Sequence, residues 1–184
     1  MNIYSIILAA GEGRRAGGNK LSKPIGGRPM LEWVLKSAVK ARFAGVILVA
    51  GKEKDFCEKL GNMYGVTVLY NPDFKSGMSS SLKKGVSGLP AGCDGFAVML
   101  GDMPFVKTET LNLLIREFEK WPYIVAPVFD GKRGHPPIIS VEFRAKIMEL
   151  SGDIGARNVI QNHIERVRLV DVEDEGVVKD IDTF

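Results

Sequence analysis

The chain has 184 residues, 45% of them hydrophobic and 26% charged, and a formal net charge of +3. That size and composition predict a single domain, residues 1–184, burying about 70% of its unfolded surface and needing no disulfide or metal staples. So small a charge argues against a polymer-binding face for nucleic acid or an anionic membrane, and no run approaches the roughly 18 apolar residues of a membrane span.

Ile3–Ala9 is a short apolar run ending in glycines, the pattern of a buried strand. Pro29 suits the first turn of a helix reaching about Arg42, with Leu31, Val34, Leu35, Ala38 and Val39 on one stripe. Val46–Ala50 predicts a second strand, Glu53–Met63 a charged helix, Val66–Tyr70 a third strand and Ser79–Ser87 a helix. Phe96–Leu100 predicts a fourth buried strand, closed by Gly101-Asp102. Thr108 is placed to cap a helix running to about Lys120, whose Leu111, Leu114, Ile115 and Phe118 share a face. Beyond it, Ile124–Val128 and Pro137–Val141 predict strands around a glycine-rich loop. Phe143–Leu150 and Ile154–Asn162 predict helices, and Arg166–Val172 and Val177–Ile181 final strands.

This alternation predicts an α/β fold, a three-layer α/β/α sandwich around a mostly parallel, Rossmann-like sheet. Ligands of such sheets sit beyond the carboxyl ends of the strands. That rule singles out residues 10–23, 71–81 and Gly101-Asp102. Cys57 and Cys93 form no CxxC pattern, and His135 and His163 have no Cys or His neighbour at zinc-ligand spacing. With an N-terminus, Met1-Asn2-Ile3-Tyr4, that lacks a basic leader, these features predict a cytoplasmic protein with reduced thiols.

The first loop reads Ala10-Gly11-Glu12-Gly13-Arg14-Arg15-Ala16-Gly17-Gly18-Asn19-Lys20. Its glycines allow close backbone approach, and successive amides there form an anion nest. Arg15 and Lys20 add full positive charge, the first as a fork and the second as a mobile point charge. Together they suit a triphosphate; a solvent-exposed Gly/Arg turn has the same composition. A P-loop is excluded because Lys20 precedes Leu21, and GxGxxG because position 16 is Ala.

With Leu8-Ala9-Ala10-Gly11 before it and Arg15, Gly17, Lys20, Leu21, Pro24, Gly27, Pro29 and Leu31 at the same spacings, the segment resembles the LAAGxSxRMGxxKLLxPxxGxPLL signature of the MobA-like NTP transferases. It is most similar to their molybdenum cofactor cytidylyltransferase branch. Gly13 stands for the usual Ser and Ala16 for the usual Met. Further similarity runs through Asn71-Pro72, Gly77–Leu82, Gly101–Pro104, Gly134–Pro136, Gly152–Arg157 and Asp180–Thr183. The resemblance implies the fold of the nucleotide-diphospho-sugar transferases. It implies a Mg²⁺-dependent enzyme that moves the NMP of an NTP onto a phosphate-bearing acceptor, here CMP from CTP onto molybdopterin or the molybdenum cofactor.

Residue by residue, the resemblance assigns Leu8, Ala9, Ala10, Gly11, Gly13, Arg15, Lys20 and Ser81 to the nucleotide. Arg15, Lys20 and Asp102 are the candidates for catalysis; the resemblance places the His135 loop at the acceptor, with a structural His as the alternative reading, and Arg157 reads as an acceptor contact or as surface. The resemblance implies that Asp102 is a Mg²⁺ ligand, consistent with the one or two carboxylates plus substrate phosphates that Mg²⁺ takes; a helix cap or turn former is the alternative reading of a strand-end Asp. Asp180 and Asp182, in a DxDT segment, are candidates for the second carboxylate; on a strand, two residues apart, they would share a face. A solvated acidic tail is the alternative reading of that pair. Ser79 reads as a helix cap, and Lys23 as a phosphate contact or a solvated lysine. Ala10 in place of a second Gly points to cytosine, because a methyl near the base leaves a purine less room. One methyl is worth about 1–3 kcal/mol of discrimination. Another base such as GTP, a sugar-phosphate or phosphoalcohol acceptor, and a non-catalytic nucleotide-binding domain remain as alternatives.

Overall fold

Strand β1 (Ile3–Ala9) is the central strand in the computed structural model of the chain, which describes residues 1–11 and 18–182. Its alternate side chains serve two cores: Ile6 and Leu8 pack on one face of the sheet, Ile7 and Ala9 on the other. That two-sided burial is why the run is continuously apolar rather than alternating. β4 (Gly45–Ala50) pairs parallel to it on one side and β6 (Gly95–Leu100) on the other, with Leu8 between Val49 and Leu100. β5 (Thr67–Tyr70) continues the sheet beyond β4. On the opposite flank β9 (Ile138–Ser140) runs antiparallel to β6, followed by β7 (Ile124–Phe129) and β10 (Val167–Asp171), which are parallel to each other. The order is β10-β7-β9-β6-β1-β4-β5, with β8 (Lys132–Arg133) paired to β7.

Helices α1 (Met30–Lys40), α2 (Lys54–Tyr64) and α4 (Thr108–Lys120) cover one face through Leu31, Leu35, Cys57, Leu111 and Phe118. α3 (Met78–Ser87), α5 (Arg144–Met148) and α6 (Arg157–Asn162) cover the other through Leu82, Val86, Ile147 and Ile160. The three-layer sandwich with a mostly parallel sheet is therefore as expected. Between β1 and α1 a small hairpin, β2 (Pro24–Ile25) and β3 (Arg28–Pro29), turns on Gly26 and Gly27, both at positive φ. That is the requirement of a type I′ hairpin.

Three local expectations are corrected. Residues 177–181 do not form a strand: Glu175–Val178 is a 3₁₀ turn, and the apolar residues behind that expectation are buried by docking rather than by a ladder. Thr108 does not cap α4. It is the first helical residue, its hydroxyl donates to Ser37 O, and the amide of Lys107 is satisfied by Asp174 Oδ2 at 2.9 Å. Ser79 does not cap α3, where Met78 N–H donates to Asp153 Oδ1 at 2.9 Å and Ser79 N–H to Gly152 O at 3.1 Å. Both helix starts are thus capped by distant acceptors, which satisfy donors the helices leave open.

Candidate active site

The chain leaves β1 toward β4 on one side, while β6 enters from the other, so the sheet order switches between β1 and β6. The two strand ends are stitched together by Gly101 N–H donating to Leu8 O at 3.0 Å. A crevice opens at such a point because the loops depart in opposite directions. Here it is a cleft of about 900 Å³. It is lined by Leu8–Gly11 at the end of β1, by Lys20 and Asp102, by Met78 and Ser81 of α3, and by Asp180 and Asp182.

Lys20 links the first loop to the strand-end carboxylate. Its Nζ lies 3.0 Å from Asp102 Oδ2 and 3.7 Å from Asp182 Oδ1, and its side chain is only 12% exposed. Asp102, Asp180 and Asp182 each bring an oxygen within 4.8 Å of the others. This all-oxygen donor set suits a hard divalent cation, and the Lys20 ammonium shows that positive charge is held beside it.

The last two aspartates reach the cleft because the segment before them is docked at several points. Ile181 N–H donates to the Asp102 carbonyl at 3.0 Å, and His135 N–H to Val177 O at 2.7 Å. Asp174, 2% exposed, accepts from Lys107 N–H, Thr110 Oγ1 and Gly176 N–H at 2.9, 2.7 and 3.0 Å. Gly134 and Gly176 sit so tightly, on Val177 and Phe105 respectively, that a Cβ on either would enter backbone atoms.

Of the residues expected at the nucleotide, Leu8, Ala9, Ala10, Gly11, Lys20 and Ser81 line the cleft, as do Asp102, Asp180 and Asp182. Gly13 and Arg15 lie outside the described residues. Ala10 is 2% exposed, and its Cβ lies 2.8 Å from where a Gly51 Cβ would stand, so its methyl packs inward rather than into the cleft, and the expected crowding of a purine by that methyl is corrected. Ser81 Oγ accepts from Asn71 Nδ2 at 3.0 Å. His135 and Arg157 are not among the lining residues. Arg157 is exposed at the start of α6, the helix entered from the Gly152-Asp153 loop, which does line the cleft. His135 feels the charges of Asp102 and Asp180, and its Nδ1 is buried without a hydrogen-bond partner among the described residues. Burial holds its imidazole below the usual range, opposed by the Val98 backbone and the Asp102 and Asp180 charges.

Glu53 and Asp174 escaped sequence reasoning, since each lies in a charged stretch that reads as a solvated surface; Asp153 was visible only as part of the Gly152–Arg157 similarity, and in all three cases the distant partners give the residue its meaning.

Fold and cleft together define a nucleotide-handling protein of the α/β class. Residues 5–167 match the MobA-like NTP transferase domain, and the chain belongs to that nucleotidyltransferase family. It is 27% identical to the purine catabolism protein PucB of Bacillus subtilis over 98% of this chain and 92% of that one. It is 28% identical to nicotine blue oxidoreductase of Paenarthrobacter nicotinovorans over 98% and 92%. The molybdenum cofactor cytidylyltransferase of Escherichia coli is 26% identical over 98% and 91%. Among solved structures, Rv0371c of Mycobacterium tuberculosis superposes with a TM-score of 0.89 at 26% identity, covering 100% of this chain and 93% of that one. A manganese complex of Rv0371c superposes at 0.80 with 25% identity, covering 94% and 89%.

Proposed function

We propose that the chain transfers CMP from CTP onto a phosphate-bearing acceptor of the molybdopterin type, with Mg²⁺ as cofactor and release of pyrophosphate. The observation that carries this reading is the meeting of Lys20 with Asp102, Asp180 and Asp182 at the switch point of the sheet. An acceptor phosphate oxygen would form a bond to the α-phosphorus while the α–β phosphoanhydride bond breaks in line. Such chemistry needs positioning and charge stabilisation more than covalent help. An acceptor phosphate is already an anion, so no general base is required.

Asp102, with Asp180 and Asp182, would hold the divalent cation, which when bound supplies positive charge beside the phosphates. Lys20 has three donors, so it can keep one on Asp102 and turn another toward the leaving pyrophosphate. Arg15, on the same loop, would add a forked contact to the triphosphate. The amides of Ala10 and Gly11 would approach it, and Ser81 would meet the nucleoside. His135 and Arg157 would act on the acceptor side, His135 through the segment it docks rather than by contact.

The test is thermal stabilisation by CTP, GTP, ATP and UTP with Mg²⁺, with NADH as a further arm because one relative is named an oxidoreductase. A nucleotide at a hundredfold excess over Kd raises stability by about 2.7 kcal/mol. CTP preference and pyrophosphate release with the molybdopterin acceptor are expected. A GTP preference would replace the base, and stabilisation by NADH alone would overturn the transferase reading.

A further inference from the structure

The turn leaving β4 is pressed against the loop that carries Lys20 at three successive residues. Gly51 comes so near that a Cβ on it would stand 2.5 Å from the Ala10 carbonyl oxygen. The Lys52 ammonium occupies the space that a Cβ on Gly18 would need. Glu53 then turns its carboxylate back over the loop. Its Oε1 accepts from Leu21 N–H at 3.0 Å and its Oε2 from Ser22 N–H at 3.1 Å. Two oxygens on two successive amides is the grip that a bound anion takes in a nest, and here the protein supplies the anion. Hydrogen bonds of this kind are charge-assisted, and so among the stronger ones.

The carbonyls of the same segment are engaged on another side. Leu21 O accepts from Leu31 N–H at 3.1 Å, Lys23 O from Met30 N–H at 2.9 Å, and Lys20 O from Lys23 N–H at 3.3 Å. The segment is therefore held by its carbonyls to the start of α1 and by its amides to Glu53. Lys20 stands one residue before this double attachment, with its ammonium 3.0 Å from Asp102. Glu53 itself is not among the residues that line the cleft.

We infer that Glu53 is a positioning residue: its two-amide clamp on Leu21 and Ser22 sets the path of the loop, so that Lys20 meets the polyphosphate with its ammonium already aimed at Asp102. The functional side of this inference rests on the nucleotidyl-transfer reading above. A displacement of about 1 Å at a positioned group costs on the order of a hundredfold in rate. Glu53→Gln keeps the size of the side chain but turns one acceptor into an NH₂ facing an N–H donor, so it loosens the clamp with little change in volume.

The experiment is a double-mutant cycle of Glu53→Gln and Lys20→Ala, read by pyrophosphate release with Mg·CTP and the molybdopterin acceptor, and accompanied by amide exchange over residues 18–23 and by melting midpoints. In the Lys20 background Glu53→Gln should lower kcat/KM by about tenfold to a hundredfold, mostly in kcat, and speed exchange at Leu21 and Ser22 at least tenfold. In the Lys20→Ala background the same substitution should change kcat/KM less than twofold, because residues that act through one another are not additive. Equal losses in both backgrounds would reduce Glu53 to general support and overturn the inference, as would an unaltered rate in Glu53→Gln alone. The exchange arm needs no turnover. Unchanged exchange at the two amides overturns the clamp even for an inert chain. Inertness of the wild type with all four NTPs in the presence of the acceptor overturns the nucleotidyl reading instead.

Discussion

Lys20→Ala should move metal binding and turnover in opposite directions. The ammonium lies 3.0 Å from Asp102 and 3.7 Å from Asp182. At an effective dielectric of 20 these separations correspond to attractions of about 5.5 and 4.5 kcal/mol, before desolvation and screening. Asp182 is 56% exposed, so its share falls to the surface-pair scale of about 0–1 kcal/mol. Lys20 and Asp102 are 12% and 29% exposed, which places their pair between the exposed and buried limits. A loss of about 1–3 kcal/mol of fold stability is expected in EDTA.

The substitution leaves three carboxylates with oxygens within 4.8 Å of one another and without the Lys20 ammonium beside them. Mn²⁺ alone should then bind at least tenfold more tightly, about 1.4 kcal/mol, because the cation no longer meets an ammonium. Pyrophosphate release should meanwhile fall by about 10²–10³, the scale of a lost charge-stabilising donor. Calorimetric titration with Mn²⁺, melts in EDTA and a coupled pyrophosphate assay read the three effects. A variant that binds Mn²⁺ no more tightly than the wild type, or that turns over within threefold of it, refutes a site shared by Lys20 and a cation.

Three further outcomes are expected. Asp174→Ala removes the acceptor of three donors and should cost about 2–4 kcal/mol in a urea titration; the same variant should weaken Mn²⁺ binding, since the segment bearing Asp180 and Asp182 loses its anchor. Gly77→Ala should destabilise by 2 kcal/mol or more, as a rough scale, and abolish stabilisation by CTP: φ is 103° there, and a Cβ would stand 2.5 Å from Gly152 O. Burial, helped by the Glu53 and Glu58 charges, pushes the Cys57 thiol up to about 12. The unfolded thiol ionises near its ordinary value of 9.0, so the fold gives up protons later than the unfolded chain and loses stability as pH rises above 9. The loss should reach about 1.4 kcal/mol at pH 10. Cys57→Ser melts compared at pH 8 and 10 check it, together with slow thiol labelling of the native wild type.

Much of the fold was legible because its signals are local. Ile3–Ala9, Val46–Ala50 and Phe96–Leu100 read as buried strands from continuous apolar runs, and each forms within a residue of its expected bounds. Leu111, Leu114, Ile115 and Phe118 recur at helical spacing and are buried along α4. The strand-end rule also locates the cleft, since Ala10, Gly11, Lys20, Ser81 and Asp102 all follow strands of the central sheet and all line it. Where expectation failed, the missing information was tertiary. Val177–Ile181 carries the apolar residues of a strand, but Gly176 packed on Phe105 and Val177 bonded to His135 bury them without a partner strand. A short apolar run cannot say which of these burials it will find.

The sequence by itself determined the layers of this protein, the position of the cleft and the residue types that face it, because periodicity and strand ends act over a few residues. Only the tertiary structure decided how the ends of those elements are held. α3 is capped by Asp153, 75 residues away, and α4 by Asp174, 67 away; the Lys20 loop is clamped by Glu53, 31 and 32 residues on. A carboxylate satisfies a backbone donor equally well from any distance along the chain. Its identity is therefore written in the sequence, but its partner is written only in the fold.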